Sequence, residues 1–100
     1  MLCLGIESTA HTFACAVVEK TGKIHSDIRK IYKPPEGEGI HPREASRHHI
    51  ENSASVLAEC LQNANIRIKD LGIIAYAAGP GLGPCLRVGA VVAQDLQHKQ

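Results

Sequence analysis

Two short apolar runs at the start of the chain, separated by only six residues, most strongly constrain what it can fold into. Residues 1–6 and 13–18 have the length and composition of β-strands. So short a connection joins two strands as an antiparallel hairpin. The connecting residues, ESTAHT, supply a carboxylate, three hydroxyls and an imidazole instead of the glycine or asparagine–glycine common in tight hairpins. The sequence therefore predicts a β-hairpin with an unusually polar turn.

The rest of the chain supplies one more hairpin strand and then two helices that flank a further strand. Residues 24–32 alternate between apolar and polar, which is typical of an edge strand with one solvated face. Residues 33–42, with three prolines and two glycines, predict a long loop. The remaining predicted elements are a helix over 43–64, a connector over 65–70, a strand covered on both faces over 71–78, a glycine-rich turn over 79–84 and a buried helix over 85–98.

This β-β-β-α-β-α order predicts an α/β fold and resembles the first half of a ribonuclease-H-like domain. Proteins of the actin, hexokinase and heat-shock chaperone superfamily begin in this way. The resemblance implies that the first hairpin turn bends around nucleotide phosphates, with hydroxyls and backbone amides as donors. Ser8, Thr9 and Thr12 would then offer donors, and Glu7 would hold the loop or a metal-bound water.

Length and charge restrict the class of protein. The chain has 100 residues, enough for one small domain, and its formal net charge of +1 gives no overall signature of nucleic-acid binding. The four cysteines (Cys3, Cys15, Cys60 and Cys85) lack metal-ligand spacing, which favours buried reduced thiols. We find neither a signal peptide nor a run long enough for a membrane span, and therefore expect a cytoplasmic protein without membrane contact.

Three motifs, in this order, resemble a family of tRNA-modifying enzymes. They are GIESTAHTFACAVV, GIHPREASRHHIEN and GPGLGPCLRVGA, at residues 5–18, 39–52 and 79–90. Together they resemble the tRNA threonylcarbamoyladenosine transferases, known as Kae-type subunits of the KEOPS complex in archaea and eukaryotes, as TsaD in bacteria, and formerly as glycoproteases. The HPREA stretch and the doubled His48–His49 are similar to the archaeal and eukaryotic branch.

The resemblance implies transfer of a threonylcarbamoyl group from its adenylate to an adenosine beside the tRNA anticodon. It places the adenylate phosphate against the two turns, at Glu7, Ser8, Thr9, His11, Thr12, Gly79, Gly81 and Gly83. It also implies one iron or zinc ion, held by a His-x-x-x-His pair beyond residue 100, so we assign no metal ligand and no catalytic residue here. We interpret residues 1–100 as a truncated N-terminal lobe of a larger two-lobed protein, and expect no catalysis by this lobe alone.

Two alternatives remain open at this point. One is an interaction module without catalysis. The family's implied partners are tRNA, a small dimerising subunit and a kinase subunit of KEOPS, and helix 43–64 would bind a subunit or a second copy through Ile50, Ala54, Leu57 and Leu61. The other is a different nucleotide-binding enzyme of the same superfamily, such as a sugar kinase, although the first turn lacks the aspartate such an enzyme needs. For the neighbouring histidines, we expect His49 to pack with a hydrogen-bonded ring and His48 to point to another side of the helix, in solvent.

Overall fold

The computed structural model describes residues 1–79 and 81–98 and confirms the predicted order of elements. Four strands and two helices are present: β1 Leu2–Ser8, β2 Thr12–Glu19, β3 Ile24–Ile31, α1 Pro42–Ala64, β4 Leu71–Tyr76 and α2 Gly83–His98. A short 3₁₀ turn, Ile68–Asp70, lies in the connector before β4.

The strands form one mixed sheet in the order β3-β2-β1-β4. β1, β2 and β3 are an antiparallel meander, as predicted, and β4 pairs with β1 in parallel. Alternate side chains of β1 and β2 point to opposite faces. One face carries Leu4, Ile6, Phe13, Cys15 and Val17, which form the core together with residues of α1 and α2.

Small residues line the opposite face of the sheet. Gly5 pairs with Ala16 on one side and Ala75 on the other, and Glu7 pairs with Ala14. Both helices pack on the other face, the one that carries the core residues of β1 and β2. The prediction that the strand after the connector is covered on both faces is wrong for the described residues, because β4 lies at a sheet edge and only Leu71 in it is buried.

The first turn is shorter than the sequence predicts. Glu7 and Ser8 continue β1, where Ser8 pairs with Phe13, and Thr12 already belongs to β2. Only residues 9–11 leave the strands. Polar side chains at strand ends caused the error, since a strand that ends at a polar site gives no apolar signal there.

Helix α1 has recognisable ends. Pro42 occupies its first turn, where the missing N–H is not needed, and Asn65 ends it in the left-handed conformation with φ of 56°. The Asn65 N–H donates to the carbonyl groups of Gln62 and Leu61, which satisfies the last turn. The helix buries Ala45, His49, Val56 and Cys60.

All four cysteines are free, and Cys15, Cys60 and Cys85 are buried while Cys3 is half-buried. Neither helix within residues 1–79 and 81–98 combines the length and apolar character that a membrane crossing requires.

Candidate functional site

Two turns meet at one edge of the sheet, at the carboxyl ends of its two parallel strands. The turn of residues 9–11 follows β1, and the glycine-rich turn follows β4, so both leave the sheet at the same edge. The Leu82 N–H donates to the Thr9 carbonyl at 2.7 Å. Gly81 lies so close that a Cβ atom there would be 2.6 Å from the Thr9 carbonyl oxygen. Open α/β sheets bind ligands at such an edge, so we take these turns as the candidate site.

Every carbonyl of the first turn accepts a hydrogen bond from a different part of the fold. The Thr9 carbonyl accepts from Leu82, just before α2. The Ala10 carbonyl accepts from the His49 ring in α1, with Nε2 2.7 Å away. The His11 carbonyl accepts from the Tyr32 N–H, just after β3, at 2.6 Å. Three consecutive peptide groups are therefore held by three elements.

This arrangement also sets the direction of the turn's amide groups. In a planar trans peptide the C=O of one residue and the N–H of the next point in opposite directions. Because the Thr9 and Ala10 carbonyls point to their donors in the fold, the N–H groups of Ala10 and His11 point away from those donors. Backbone N–H groups that face away from the fold can donate to an anion.

The predicted side chains of the first turn fall into two pairs and one isolated group. The Thr9 hydroxyl donates to the Glu7 carboxylate at 3.3 Å, an exposed contact at the start of the turn. Thr12 Oγ1 lies 2.6 Å from His11 Nδ1. Ser8 faces α2, buried, and its hydroxyl has no hydrogen-bond partner within the described residues. The pairs lie at the turn, whereas the Ser8 hydroxyl is directed into the packed layer.

The predicted glycines of the second turn differ in their surroundings. Gly81 contacts the Thr9 backbone, whereas a Cβ on Gly83 would meet no atom within 4 Å. Gly79 has a φ of +151°, which side-chain-bearing residues rarely adopt. Pro80, between Gly79 and Gly81, lies outside the described residues. Close approach of the two turns thus depends on Gly81.

The adjacent histidines of α1 behave differently from the sequence interpretation in one respect. His49 is completely buried and hydrogen-bonded, as predicted, and its ring lies 6.0 Å from that of Phe13. His48 is only half-exposed, and its Nδ1 is 3.0 Å from His49 Nδ1, so the two rings are in contact instead of diverging. Burial lowers the pKa of both rings below the ordinary value of 6.5.

Sequence reasoning predicted a hydrogen-bonded ring for His49 but not its acceptor, and it missed the other two groups that hold the turn. His49, Tyr32 and Cys85, whose thiol lies 3.5 Å from the Ala10 carbonyl, come from three distant segments. Their bonds are made to backbone carbonyls, which no sequence pattern reveals.

Among residues 1–79 and 81–98, no group of three His, Cys, Asp or Glu side chains is placed to hold a metal ion.

The predicted interface residues on α1 lie partly on the surface and partly in the core. Ile50 is 61% exposed and Ala54 is exposed, whereas Leu57 and Leu61 are half-buried and pack against the core. A groove of about 430 Å³ lies between α1 and α2 beside Ile50. Its lining residues are Ser46, Ile50, Ser53, Pro84, Arg87, Val88, Val91 and Val92.

The fold is an α/β half-domain of the ribonuclease-H-like type, and its two turns meet at the carboxyl ends of the two parallel strands. The comparison with solved structures agrees: YeaZ from Pseudomonas aeruginosa superposes with a TM-score of 0.76 at 15% identity, over 99% of this chain and 40% of that one. At this identity the likeness concerns the fold alone.

Sequence comparison identifies the family. The model of TsaD, tRNA N6-adenosine threonylcarbamoyltransferase, matches residues 22–99, and the chain belongs to this family. The tRNA N6-adenosine threonylcarbamoyltransferase of Pyrobaculum islandicum is 54% identical over 99 residues, and that of Methanopyrus kandleri is 47% identical over 96. The chain spans 29% and 28% of their lengths, matching 99% and 96% of itself. The predicted family is confirmed, and the match favours it over another nucleotide-binding enzyme of the superfamily.

Proposed function

We propose that this chain forms the lobe of a tRNA N6-adenosine threonylcarbamoyltransferase that binds the phosphate of the threonylcarbamoyl adenylate between its two turns. The observation that carries this proposal is the orientation of the first turn, whose three carbonyls are all bound to the fold while the Ala10 and His11 amides point away. The named activity of the relatives supports it. A tRNA substrate and a cytoplasmic location follow from the same proposal.

The chemistry supported by such a site is acyl transfer. The N6 nitrogen of adenosine attacks the carbamoyl carbon of the adenylate, a new C–N bond forms, the nitrogen loses a proton, and AMP leaves. Negative charge grows on the phosphate as AMP leaves, and backbone amides that are already oriented stabilise such charge without reorganisation. The iron or zinc ion implied by the resemblance remains a prediction for larger family members, and we derive no step through it from the described residues.

Nucleotide titration of the chain tests the proposed phosphate site. We expect ATP to shift the amide resonances of Ala10, His11 and Gly81 in nitrogen–proton NMR spectra, with little change along β3. Gly81→Ala should abolish the shifts, because its Cβ would collide with the Thr9 carbonyl, and Gly83→Ala, which has open space, should preserve them. Shifts confined to other surfaces, or none at millimolar ATP, would reject the site.

A chimera tests the activity itself. The 99 matched residues of this chain replace the matching segment of the Pyrobaculum islandicum relative, to which they are 54% identical. We expect the chimera to form threonylcarbamoyladenosine on tRNA and residues 1–100 alone to form none. A chimera that folds and binds tRNA but modifies no adenosine would contradict the proposal.

We further propose that the groove between α1 and α2 binds a protein partner, either a small subunit of the larger assembly or, in the isolated chain, a second copy. Ile50 and Val91 lie along it with more than half of each residue exposed. Two such side chains on facing surfaces stabilise a contact when both are buried. The kinase subunit of KEOPS remains a predicted partner of complete family members.

Sedimentation at high micromolar concentration tests this surface. We expect a dimer in the wild type and a monomer in Ile50→Asp, which places an unpaired charge in the contact. Ile24→Asp is a matched control, because Ile24 on β3 is 63% exposed and does not line the groove. Leu57→Asp is a poorer test, since Leu57 packs against the core and its replacement would also weaken the core. A monomeric wild type would reject a second copy as the occupant of the groove. An unchanged dimer in Ile50→Asp would place the dimer contact outside the groove.

A further inference from the structure

We propose that His49 is a positioning residue that sets the direction in which the Ala10–His11 peptide presents its N–H group to the ligand. His49 lies in α1, is completely buried, and places Nε2 2.7 Å from the Ala10 carbonyl oxygen. This inference rests on the proposed function in one respect, that the ligand is a phosphate held by the first turn. The orientation of the peptide itself is independent of any ligand.

The contact fixes the tautomer of His49. A backbone carbonyl only accepts hydrogen bonds, so the hydrogen of the neutral His49 ring is on Nε2. Nδ1 of His49 then carries a lone pair, and it is 3.0 Å from Nδ1 of His48. The hydrogen between them therefore belongs to His48. His48 donates it to His49, and this second hydrogen bond restricts rotation of the His49 ring.

His49 acts on the turn through the geometry of one peptide group. The Ala10 carbonyl and the His11 N–H belong to the same planar unit and point in opposite directions. Rotation of this unit by half a turn would direct the carbonyl oxygen toward the ligand, and its partial negative charge would repel a phosphate. The hydrogen bond from His49 opposes that rotation. The Cys85 thiol is a weak donor at 3.5 Å from the same oxygen and does not replace the imidazole.

The neighbouring peptide groups provide internal references. Leu82 and Tyr32 donate to the Thr9 and His11 carbonyls through their backbone N–H groups, which no substitution at position 49 removes. A loss of His49 that acted only by loosening the whole fold would change these two amides together with His11. A positioning role predicts a change at His11 alone.

The experiment compares wild type, His49→Gln and His49→Leu. The glutamine side-chain amide reaches the position of Nε2 and keeps a donor, whereas leucine fills the space without one. Nitrogen-15 imidazole shifts should show the Nε2–H tautomer for His49 in the wild type at neutral pH. The N–H residual dipolar coupling of His11 should be kept in His49→Gln and altered in His49→Leu, with the couplings of Tyr32 and Leu82 unchanged.

Titration with ATP adds the functional readout. We expect His49→Leu to weaken ATP binding about fivefold to tenfold, the range of one net hydrogen bond, and His49→Gln to recover most of the loss. If the wild type binds no ATP, the proposed phosphate site fails, while the tautomer and the dipolar couplings still decide the role of His49. Should His49→Leu fail to fold, the wild-type tautomer and His49→Gln decide it. An Nδ1–H tautomer, or an unchanged His11 coupling in folded His49→Leu, overturns the inference.

Discussion

The Ser8 hydroxyl is a local defect in an otherwise well-packed layer. Ser8 is 1% exposed, faces α2 near Gly89, and its hydroxyl has no partner in the described parts of the chain. An unpaired buried hydroxyl costs about 1–3 kcal/mol. We therefore expect Ser8→Ala to raise the free energy of unfolding by about 1 kcal/mol in urea titrations.

Ser26→Ala is the matched comparison for Ser8→Ala. Ser26 is also buried, but its hydroxyl lies 3.1 Å from the Cys60 sulfur. Ser26→Ala removes a hydroxyl that makes a contact, whereas Ser8→Ala removes a hydroxyl without one. We therefore expect Ser26→Ala to give no gain in stability. Destabilisation by Ser8→Ala would show that the hydroxyl has a partner, either water or ligand.

The buried histidines make stability depend on pH. Burial lowers the pKa of His49 below 6.5, the ordinary value that the unfolded chain has. Below pH 6.5 the unfolded state therefore binds more protons than the folded state, so stability is full above this pH and falls as the pH drops toward the folded pKa. The lowered pKa of His48 acts in the same direction. Urea midpoints at pH 7.5, 6.5 and 5.5 should decrease in that order, and less steeply in His49→Gln. Equal slopes in the two proteins would contradict this assignment.

At the scale of elements, the contact between the two turns depends on the absence of a side chain at Gly81. A Cβ there would lie 2.6 Å from the Thr9 oxygen and 3.0 Å from two further Thr9 backbone atoms. Backbone atoms cannot move aside as a flexible side chain can. We expect Gly81→Ala to break the Leu82–Thr9 hydrogen bond and to lower stability by roughly 1–3 kcal/mol. In Gly83→Ala, with open space at the start of α2, stability should not fall. Equal effects of the two substitutions in thermal unfolding would reject the contact.

The sequence predicts the elements well and their surfaces less well, and α1 shows why. Its apolar residues form two adjoining stripes, one through Ile50 and Leu57 and the other through His49 and Val56. Periodicity identifies a helix but does not decide between stripes of similar composition. The structure buries the stripe of His49 and Val56, and leaves Ile50 exposed. One contact of the buried stripe joins His49 to Ala10, 39 residues away, and its acceptor is a backbone atom that the sequence pattern does not reveal.

The sequence likewise predicts some features of the candidate site and not others. The polar turn and Gly81 are visible in the sequence because they interrupt apolar runs. The donors that orient the turn are not visible, since a carbonyl can accept from any residue that the fold brings near. The apolar run of β4 predicts burial on two faces, yet α1 and α2 pack only on one face of the sheet.

At the scale of the whole molecule, the four cysteines are distributed over both faces of the sheet. Cys15 and Cys60 belong to the core between the sheet and the helices, and Cys85 is buried beside the Ala10 carbonyl. Cys3 is on the opposite face, since it alternates with the buried Leu4. Only a thiolate reacts readily with thiol reagents. Burial raises the pKa of Cys15 to about 12 and also raises the pKa of Cys60 and of Cys85.

Thiol labelling at pH 8 should therefore separate one fast cysteine from three slow ones. We expect Cys3 to react first, and Cys15, Cys60 and Cys85 to react together when urea unfolds the chain, because all three are buried. A Cys3→Ser variant should lose the fast phase and keep the slow one. Mass spectrometry of the labelled peptides identifies each site. A second fast cysteine would show that one helix separates from the sheet below the global transition, and reaction of Cys85 alone would assign that opening to α2, which follows the glycine-rich turn.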